Sequence, residues 1–529
     1  MTSTPHRNDD SEQSSPLEDE GIGADISTAA SPDDPRSELG GLLEQEALIE
    51  AEGKIRSGKL AGRSLASAIW IVAVPVLLQQ TFTASVGLFD KILSGSLPSE
   101  IVVPAIDGLG IGSYIGWFIG IAMSGLGIGA QAIIARAMGS GTLSVARDAV
   151  GQAITLALIW GAIVGLLLWS LVSPLASISA LTPEAQVYLE QYISTIAFAM
   201  PLCGVMMVGS MCMHGAGETT LPAIIMVVVN LANIIASWLL SGVDLVFEDF
   251  AIANPTSFDP AINGVYGIAA GTAISFAVGA LLIAFVLIRG VKDLRLEIPA
   301  MWPRLDMFWR VTRIGFPMFL EGIAMWGVNL FVLGFIGIIT VRDMTSGGPT
   351  DGLVGAHAIA IQWEAFSFMP GFALGTAAGT IAGQFLGAGN THMARKATLT
   401  CVAVGMLFMG GLGIIFMLFG KQLTSVISDQ PIHLEEAPKL LFICGVVQVF
   451  FALNMIIRQS LRGVGDTKWT LLITVVSSYG VRLPLAWLFG VALGGGLAGI
   501  WIGLCGEIVV RGCLFAARFL HGGWMRVRV

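Results

Sequence analysis

Long apolar runs alternate with short polar segments along the chain from about residue 64 onward. A helix that crosses the hydrocarbon layer of a bilayer needs about 20 mostly apolar residues. Twelve runs satisfy this condition, at approximately 64–89, 101–135, 143–172, 184–212, 219–243, 264–288, 309–340, 353–386, 395–420, 434–460, 468–490 and 496–518. The pattern predicts an all-α membrane protein in which these runs form transmembrane spans one to twelve.

The composition agrees with a membrane protein. Apolar residues make up 54% of the chain and charged residues 12%, whereas charged residues are about a quarter of a typical soluble domain. The net charge of −9 arises in residues 1–53, where Asp and Glu far outnumber the two basic residues, Arg7 and Arg36. Such a segment cannot bury enough apolar surface to fold, so we expect a disordered acidic cytoplasmic tail over 1–53.

Basic residues indicate the orientation in the membrane. If both termini are cytoplasmic, most of the 28 Lys and Arg residues fall in cytoplasmic segments, among them residues 54–63 and 290–308. An excess of Lys and Arg marks the cytoplasmic loops of membrane proteins. We therefore expect a multi-pass protein of the cell membrane, suited to a bacterial inner membrane, with both termini cytoplasmic.

Two stretches of the chain repeat. Residues 126–147 (LGIGAQAIIARAMGSGTLSVAR) are similar to residues 374–395 (LGTAAGTIAGQFLGAGNTHMAR), and residues 214–220 (HGAGETT) are similar to residues 462–468 (RGVGDTK). Six spans per copy is an even number, which predicts two parallel six-helix repeats that face each other as lobes around a central cleft. The predicted parts are the tail 1–53, the first lobe 54–289, a cytoplasmic linker 290–308, the second lobe 309–520 and a cytoplasmic C-terminal tail 521–529.

Prolines and glycines occupy informative places in the spans. Pro75 and Pro317 lie at matching positions of spans one and seven. A proline inside a span leaves a carbonyl unpaired, so these two are candidate hinges, with a purely structural kink as the alternative. Gly112, Gly116 and Gly120 form one stripe on span two, and such a stripe favours close approach of a neighbouring helix.

Three acids are predicted to lie at membrane depth, where an ionisable group costs several kcal/mol unless it is paired or hydrated. Asp90 lies at the outer end of span one, Glu321 about 18 Å into span seven, and Glu364 about 16 Å from the outer end of span eight. His357 shares a helix face with Glu364, and Trp363 adjoins that acid. A carboxylate beside aromatic rings suits a lipophilic cation. The alternatives are an interfacial Asp90 and a Glu364 that is hydrogen-bonded within the protein.

Other polar residues of the spans have two interpretations. Arg482 and Glu507 come to similar depths in spans eleven and twelve, so we predict that they form a structural ion pair. Arg482 is also the basic residue that we expect in the interior. Several amides lie within spans and either line a cavity or make interhelical hydrogen bonds, namely Gln79, Gln80, Asn230, Asn233, Asn329 and Asn454.

The sequence gives no sign of a metal site, an enzyme or a nucleic-acid-binding protein. The six cysteines fall in or at the ends of apolar spans without a CxxC motif, and the histidines lack the spacing of metal ligands. The cysteines are therefore interpreted as small packing residues. A membrane enzyme would need clustered His, Asp or Ser motifs, which this chain lacks. We expect a monomer, because both lobes belong to one chain.

Several motifs together resemble those of the multidrug and toxic compound extrusion (MATE) family. They are the proline of span one followed by an acid and a glycine (Pro75, Asp90, Gly95), GSGTLSVAR and GAGNTHMAR, GAHAIAIQWEAFSFMPG, and RGVGDT. The resemblance covers about residues 64–520.

This resemblance implies a twelve-helix transporter of two lobes that exports an organic solute, cationic or lipophilic, in exchange for H⁺ or Na⁺, with no other cofactor. It also implies that Asp90 is the ion-responsive group of the first lobe. Several members of the family place an acid eight residues after the proline of span seven, where this chain has Met325, whereas Glu321 follows after four. The alternative is a lipid-linked saccharide flippase of the same superfamily, which would carry basic residues in its cavity to bind a pyrophosphate.

Overall fold

The computed structural model of the protein describes residues 54–178, 181–246, 251–345, 352–527 and 529, and the predicted tail over 1–53 lies outside them. Nearly all the described residues are helical. The helices are α1 (Leu65–Gly95), α2 (Val102–Ser140), α3 (Leu143–Ile178), α4 (Pro183–Phe198), α5 (Met200–Gly215), α6 (Thr220–Ser241), α7 (Pro260–Arg289), α8 (Leu305–Thr345), α9 (Leu353–Gly387), α10 (Thr391–Ser425), α11 (Pro431–Gly463), α12 (Thr467–Ser477), α13 (Leu483–Ala486) and α14 (Gly496–His521).

The described helices confirm the predicted fold class. Eleven of them, counting α12 and α13 as one, are long and apolar enough to cross a membrane. A twelfth span is formed if α4 and α5, which meet at a bend of 58°, are taken together. Pro201 lies in the first turn of α5, where its missing N–H and fixed φ start a new helix rather than extend the previous one.

Several helix ends differ from the apolar runs. Helix α1 continues to Gly95, and α8 begins at Leu305, inside the predicted linker. Apolar runs mark the part of a helix inside the hydrocarbon, and polar first or last turns extend beyond it. The acidic segment after α6 contains a short antiparallel pair, β1 (Leu245–Val246) with β2 (Ala251–Ile252).

Span eleven departs from a regular helix. After α12, residues 478–482 and 487–492 form π-helical turns on either side of α13. Pro484 lies at the start of α13 and cannot donate a backbone hydrogen bond, which interrupts the regular ladder. Such π-helical turns often occur at functional sites, and Arg482 is the last residue of the first one.

Matching glycines show that the two halves pack in the same way. A Cβ atom at Gly127 of α2 would contact Met211 of α5, and one at Gly375 of α9 would contact Gln459 of α11. These four residues occupy matching positions of the repeated sequences. The same helix pairs therefore meet through the same positions in each half, as expected for parallel repeats.

The lobes meet at one end of the bundle, here termed the loop end, where residues 141–142, 216–219, 388–390 and 464–466 connect the helices. A Cβ atom at Gly139 would collide with the backbone of Gln384, and one at Gly387 would collide with the backbone of Arg136. The repeat aligns Gly139 with Gly387 and Arg136 with Gln384. This reciprocal pairing is expected for a twofold axis between the lobes. The Gln384 amide also stabilises the contact between the lobes, because it donates a hydrogen bond of 2.9 Å to the Gly215 carbonyl.

Gly387→Ala is expected to loosen the loop end, because the new methyl group would meet the Arg136 backbone rather than a movable side chain. Such overpacking costs about 1–3 kcal/mol, and we expect a lower thermal unfolding temperature of the purified protein. Gly334→Ala is the matched control, because a Cβ atom there would have no atom within 4 Å. Equal melting temperatures for the two variants would contradict the close contact.

The predicted close packing along the glycine stripe of α2 is wrong for two of its three members. A Cβ atom at Gly112 would contact Tyr192, but Cβ atoms at Gly116 and Gly120 would have no atom within 4 Å. Farther along α2, toward the loop end, a Cβ atom at Gly125 would meet Gly315 of the other lobe. Helix α2 therefore packs tightly toward the loop end and against α4 at its other end, and it borders open space at Gly116 and Gly120 between them.

Candidate ion and substrate site

Asp90 lies within the first lobe, facing α6 and α7. The Thr272 hydroxyl is 3.4 Å from Asp90 Oδ2, and the Asn233 amide donates to that hydroxyl over 3.1 Å. The other carboxylate oxygen, Oδ1, is buried and has no hydrogen-bond partner. Helix α1 continues beyond Asp90 to Gly95, so Asp90 is an internal residue of its helix rather than the terminal one.

Other buried side chains of the first lobe also carry acceptor oxygens without a hydrogen-bond partner. Asn233 Oδ1 and Asn230 Oδ1 are buried without a partner, although the Asn230 amide donates to the Met226 carbonyl over 2.7 Å. Gln79 Oε1, deeper along α1, is also buried and unpartnered. Tyr192 of α4 is close enough for the charge of Asp90 to act on its hydroxyl. The first lobe therefore holds buried acceptor oxygens that a cation or a proton can satisfy.

Glu364 occupies the second lobe as a half-buried acid. The structure gives its carboxylate no hydrogen bond to a described residue, and Arg482 and Arg511 are the cations whose charge acts on it. Cys444 and Cys505 also lie within its electrostatic reach. Glu364 therefore makes no hydrogen bond or ion pair with the side chains that the structure describes.

Glu321, in contrast, is held on several sides. Its carboxylate is fully buried and lies 2.8 Å from Arg462 and 3.7 Å from Arg458. The Thr474 hydroxyl donates to the same oxygen, Oε1, over 2.8 Å. Two guanidinium groups thus neutralise an acid that would otherwise be costly at this depth.

The structure contains the ion pair that the sequence predicts between spans eleven and twelve. Arg482 donates to Glu507 Oε2 through Nε at 3.1 Å and Nη2 at 2.9 Å. Arg511, one helical turn beyond Glu507, contacts the same carboxylate at 2.9 Å. Glu507 is therefore shared by two arginines, of which the sequence predicts one.

Arg482 is buried as predicted, but the prediction that it is the only basic residue of the interior is wrong. Arg458 and Arg462 of α11 and Arg511 of α14, assigned from sequence to the cytoplasmic side, are 17%, 15% and 3% exposed. An arginine near the end of an apolar run normally extends its charged head to the interface. Here Glu321, on another helix, retains Arg458 and Arg462 inside, and Glu507, four residues earlier on the same helix, retains Arg511.

His357 and the two prolines are also placed by the structure. His357 is buried, and its Nδ1 accepts a hydrogen bond of 3.0 Å from the Trp501 indole, which gives it a role in packing. Pro75 and Pro317 both lie inside continuous helices, α1 and α8.

Met325 lies at the position where several members of the family that the sequence resembles have an acid. Its sulfur atom is 3.3 Å from Nη1 of Arg511.

Comparisons with known proteins agree with this architecture. A family model described as MatE matches residues 75–239 and 317–488, and the two segments begin at the matching prolines. The probable multidrug resistance protein NorM of Thermotoga maritima is 26% identical over 458 residues, covering 86% of this chain and 92% of that protein. Multidrug resistance protein PmpM of Pseudomonas aeruginosa is 25% identical over 457 residues, covering 84% of this chain and 90% of that protein.

Solved structures share the fold. An outward-facing multidrug resistance MATE family transporter of the MOP superfamily matches with a TM-score of 0.75 and 19% identity, covering 88% of this chain and 98% of that one. A MOP superfamily transporter from Pyrococcus furiosus, described as having a binding pocket of reverse polarity, matches with a TM-score of 0.76, 19% identity and the same coverage, 88% and 98%.

Proposed function

The chain belongs to the MATE family of membrane transporters, and on this premise we propose that it is a secondary active multidrug efflux transporter. It exchanges an organic solute for H⁺ or Na⁺ across a bacterial inner membrane, with both termini in the cytoplasm. The observation that carries the proposal is the buried, unpartnered Oδ1 of Asp90 inside the first lobe.

The first-lobe acid has the chemistry of an ion site. Carboxylate, amide and hydroxyl oxygens are the ligands that hard cations prefer, and Asp90, Asn233 and Thr272 bring one of each together. A buried acceptor without a partner costs about 1–3 kcal/mol, so binding of a proton or a sodium ion is favoured. The site gives no preference between these two ions.

Because the ion and a cationic solute compete for Asp90, binding of one releases the other, and the transporter exchanges them. When Asp90 holds a proton or a sodium ion, its charge is neutralised and it attracts a cationic solute less strongly. A one-for-one exchange of a cationic solute for H⁺ or Na⁺ moves no net charge across the membrane, so the driving force is the concentration gradient of the ion, about 1.4 kcal/mol for each factor of ten. A tenfold inward ion gradient can therefore sustain up to about a tenfold outward solute gradient.

Alternating access requires the loop end to open. The contacts across the seam join Gly139 to Gln384 and Gly387 to Arg136, and they must separate before the cytoplasmic side gains access. Pro75 and Pro317 lie on α1 and α8, which pack against α9 and α2 of the opposite lobe. We propose these prolines as the points at which the helices bend during the change.

A lipid-linked saccharide flippase is the second candidate, and the interior arginines are the observation that favours it. Arg458, Arg462 and Arg511 supply the basic residues that such a protein would need for a pyrophosphate. They are paired with Glu321 and Glu507, however, and an anionic pyrophosphate would have to compete with these acids.

The test uses the purified full-length protein in liposomes loaded with the cationic dye rhodamine 123. We expect an imposed tenfold pH or sodium gradient to drive rhodamine 123 to a concentration ratio of up to about ten across the liposome membrane, because a factor of ten corresponds to about 1.4 kcal/mol, whereas without a gradient the dye only equilibrates. Liposomes without protein are the control. If neither gradient changes the movement of rhodamine 123 and the protein translocates a fluorescent lipid-linked saccharide, the flippase function would be favoured.

A further inference from the structure

Residues 55–60, which precede α1, lie against the loop end and are here termed the N-terminal clasp. The segment forms no helix or strand, yet Ile55, Ser57 and Leu60 are 7%, 8% and 1% exposed. A connecting segment normally runs over the surface of a protein and leaves its side chains in solvent. The burial of three side chains shows that the clasp packs into the loop end rather than passing over it.

The polar groups of the clasp bind the first lobe. The Ser57 hydroxyl donates to the Met138 carbonyl, near the end of α2, over 2.6 Å. The Lys59 ammonium lies 3.0 Å from the Glu218 carboxylate, just before α6, and donates to the Thr220 hydroxyl over 2.8 Å. These bonds anchor the clasp to two of the first-lobe segments that form the loop end.

The apolar side chains of the clasp pack beside the second lobe. Ile55 and Leu60 belong to a buried apolar cluster that contains Ala378 and Ile381 of α9, together with the first turns of α1. Helix α9 is also the helix that carries Gly387, one of the two glycines at the contact between the lobes. The clasp therefore holds on to both sides of the contact that must separate when the loop end opens.

The internal repeat shows why the first lobe depends on Lys59. Glu218 and Asp466 occupy matching positions of HGAGETT and RGVGDTK, and Asp466 is paired within the second lobe, with Arg518 of α14 at 2.9 Å. The similar segments GVYGIAAG of α7 and GLAGIWIG of α14 align Arg518 with Val286, which cannot pair with an acid. The clasp therefore supplies the cation that α7 lacks.

On the basis of the proposed transport function, we propose that the N-terminal clasp holds the loop end closed and that its release is a step of alternating access. Separation of α2 from α9 pulls the polar anchors of the clasp away from its apolar side chains, so one of the two sets of contacts must break. These contacts exist in the closed state, and weakening them increases the fraction of molecules with an open loop end.

Labelling of a cysteine at the loop end measures this opening. Ala388→Cys places a thiol next to Gly387, at a residue that is 7% exposed, and Cys513→Ser removes the exposed native cysteine. The rate of reaction with a membrane-impermeant maleimide is measured on the full-length protein in nanodiscs, without solute or ion gradient. In this background, Leu60→Ser is expected to raise the rate at least about tenfold, as for loss of a buried leucine side chain from the closed state.

Further variants separate the clasp from general stability. Lys59→Gln removes the bonds to Glu218 and Thr220 and should raise the rate several-fold, whereas Lys59→Arg retains the charge and should stay near the wild-type rate. Leu440→Ser is the matched control, because Leu440 is fully buried in α11 near the opposite end of the bundle. It should lower the melting temperature and leave the labelling rate unchanged.

The proposal is overturned if Leu60→Ser reacts at the wild-type rate, or if Leu440→Ser accelerates labelling equally. Should Leu60→Ser fail to fold, Lys59→Gln decides, because its side chain is 25% exposed and leaves no cavity in the core, and a wild-type rate in that variant then overturns the proposal. Failure of the clasp is distinguishable from failure of the transport function, because gradient-driven movement of rhodamine 123 is measured separately on the wild-type protein.

Discussion

Asp90→Asn is expected to abolish ion-driven solute exchange while the protein remains folded. An amide has nearly the shape of a carboxyl group, so the contacts with Thr272 and Asn233 can persist. It can neither carry the charge that attracts a cation nor release a proton. Movement of rhodamine 123 driven by a pH or sodium gradient in liposomes should fall by about tenfold or more, which corresponds to at least 1.4 kcal/mol of lost coupling.

The matched control for this variant is Asp306→Asn. Asp306 is exposed in the first turn of α8, outside both lobes' interiors, and its substitution should leave the gradient-driven flux at the wild-type level. Thermal unfolding of both variants shows whether they are folded. A folded Asp90→Asn protein with wild-type flux in both gradients would remove Asp90 from ion coupling.

The architecture can be predicted from the sequence, because the apolar runs and the internal repeat determine it. Apolar runs of about 20 residues define the spans, and the similarity of residues 126–147 to residues 374–395 predicts the parallel lobes. The structure adds that the two repeated segments contact each other, with Gly139 against Gln384 and Gly387 against Arg136. Repetition reveals that two units exist, and the lack of a side chain at both glycines is what permits their backbones to meet.

The candidate site can be predicted from the sequence only in part, because the arginines that neutralise a buried acid depend on which helices are neighbours. The depth of Glu321 in its span is evident from sequence, but its partners Arg462 and Arg458 lie on α11, far along the chain. Arg511, in contrast, is neutralised by Glu507 four residues earlier on the same helix, and this i,i+4 spacing is visible in the sequence. No such spacing connects Glu321 with Arg458 or Arg462, so their pairing could not be predicted from the sequence.

The lobes differ in the charged groups that their interiors hold. The first lobe has Asp90 beside Thr272, whereas the second lobe has Glu321 paired with Arg462 and Arg458. His214 and Ser210 occupy the positions of the first lobe that match Arg462 and Arg458. The difference therefore follows from substitutions at matching positions of the repeat.

Glu507→Gln is expected to destabilise the second lobe more than any other single change to its charged residues. Glu507 is fully buried and accepts hydrogen bonds or ion contacts from both Arg482 and Arg511 at 2.9 Å. The neutral amide would leave two buried guanidinium groups without a counter-charge. Breaking a buried ion pair by removal of one partner costs about 3–5 kcal/mol, so the melting temperature of the purified protein should fall clearly.

Two comparisons establish the cause of that loss. Glu435→Gln removes a carboxylate that is 69% exposed and paired with Lys439, and exposed pairs contribute about 0–1 kcal/mol, so its melting temperature should stay close to that of the wild type. Arg482→Met combined with Glu507→Gln removes one of the two stranded cations and should recover part of the stability. If the double variant melts no higher than Glu507→Gln alone, the loss does not come from the uncompensated charge of Arg482.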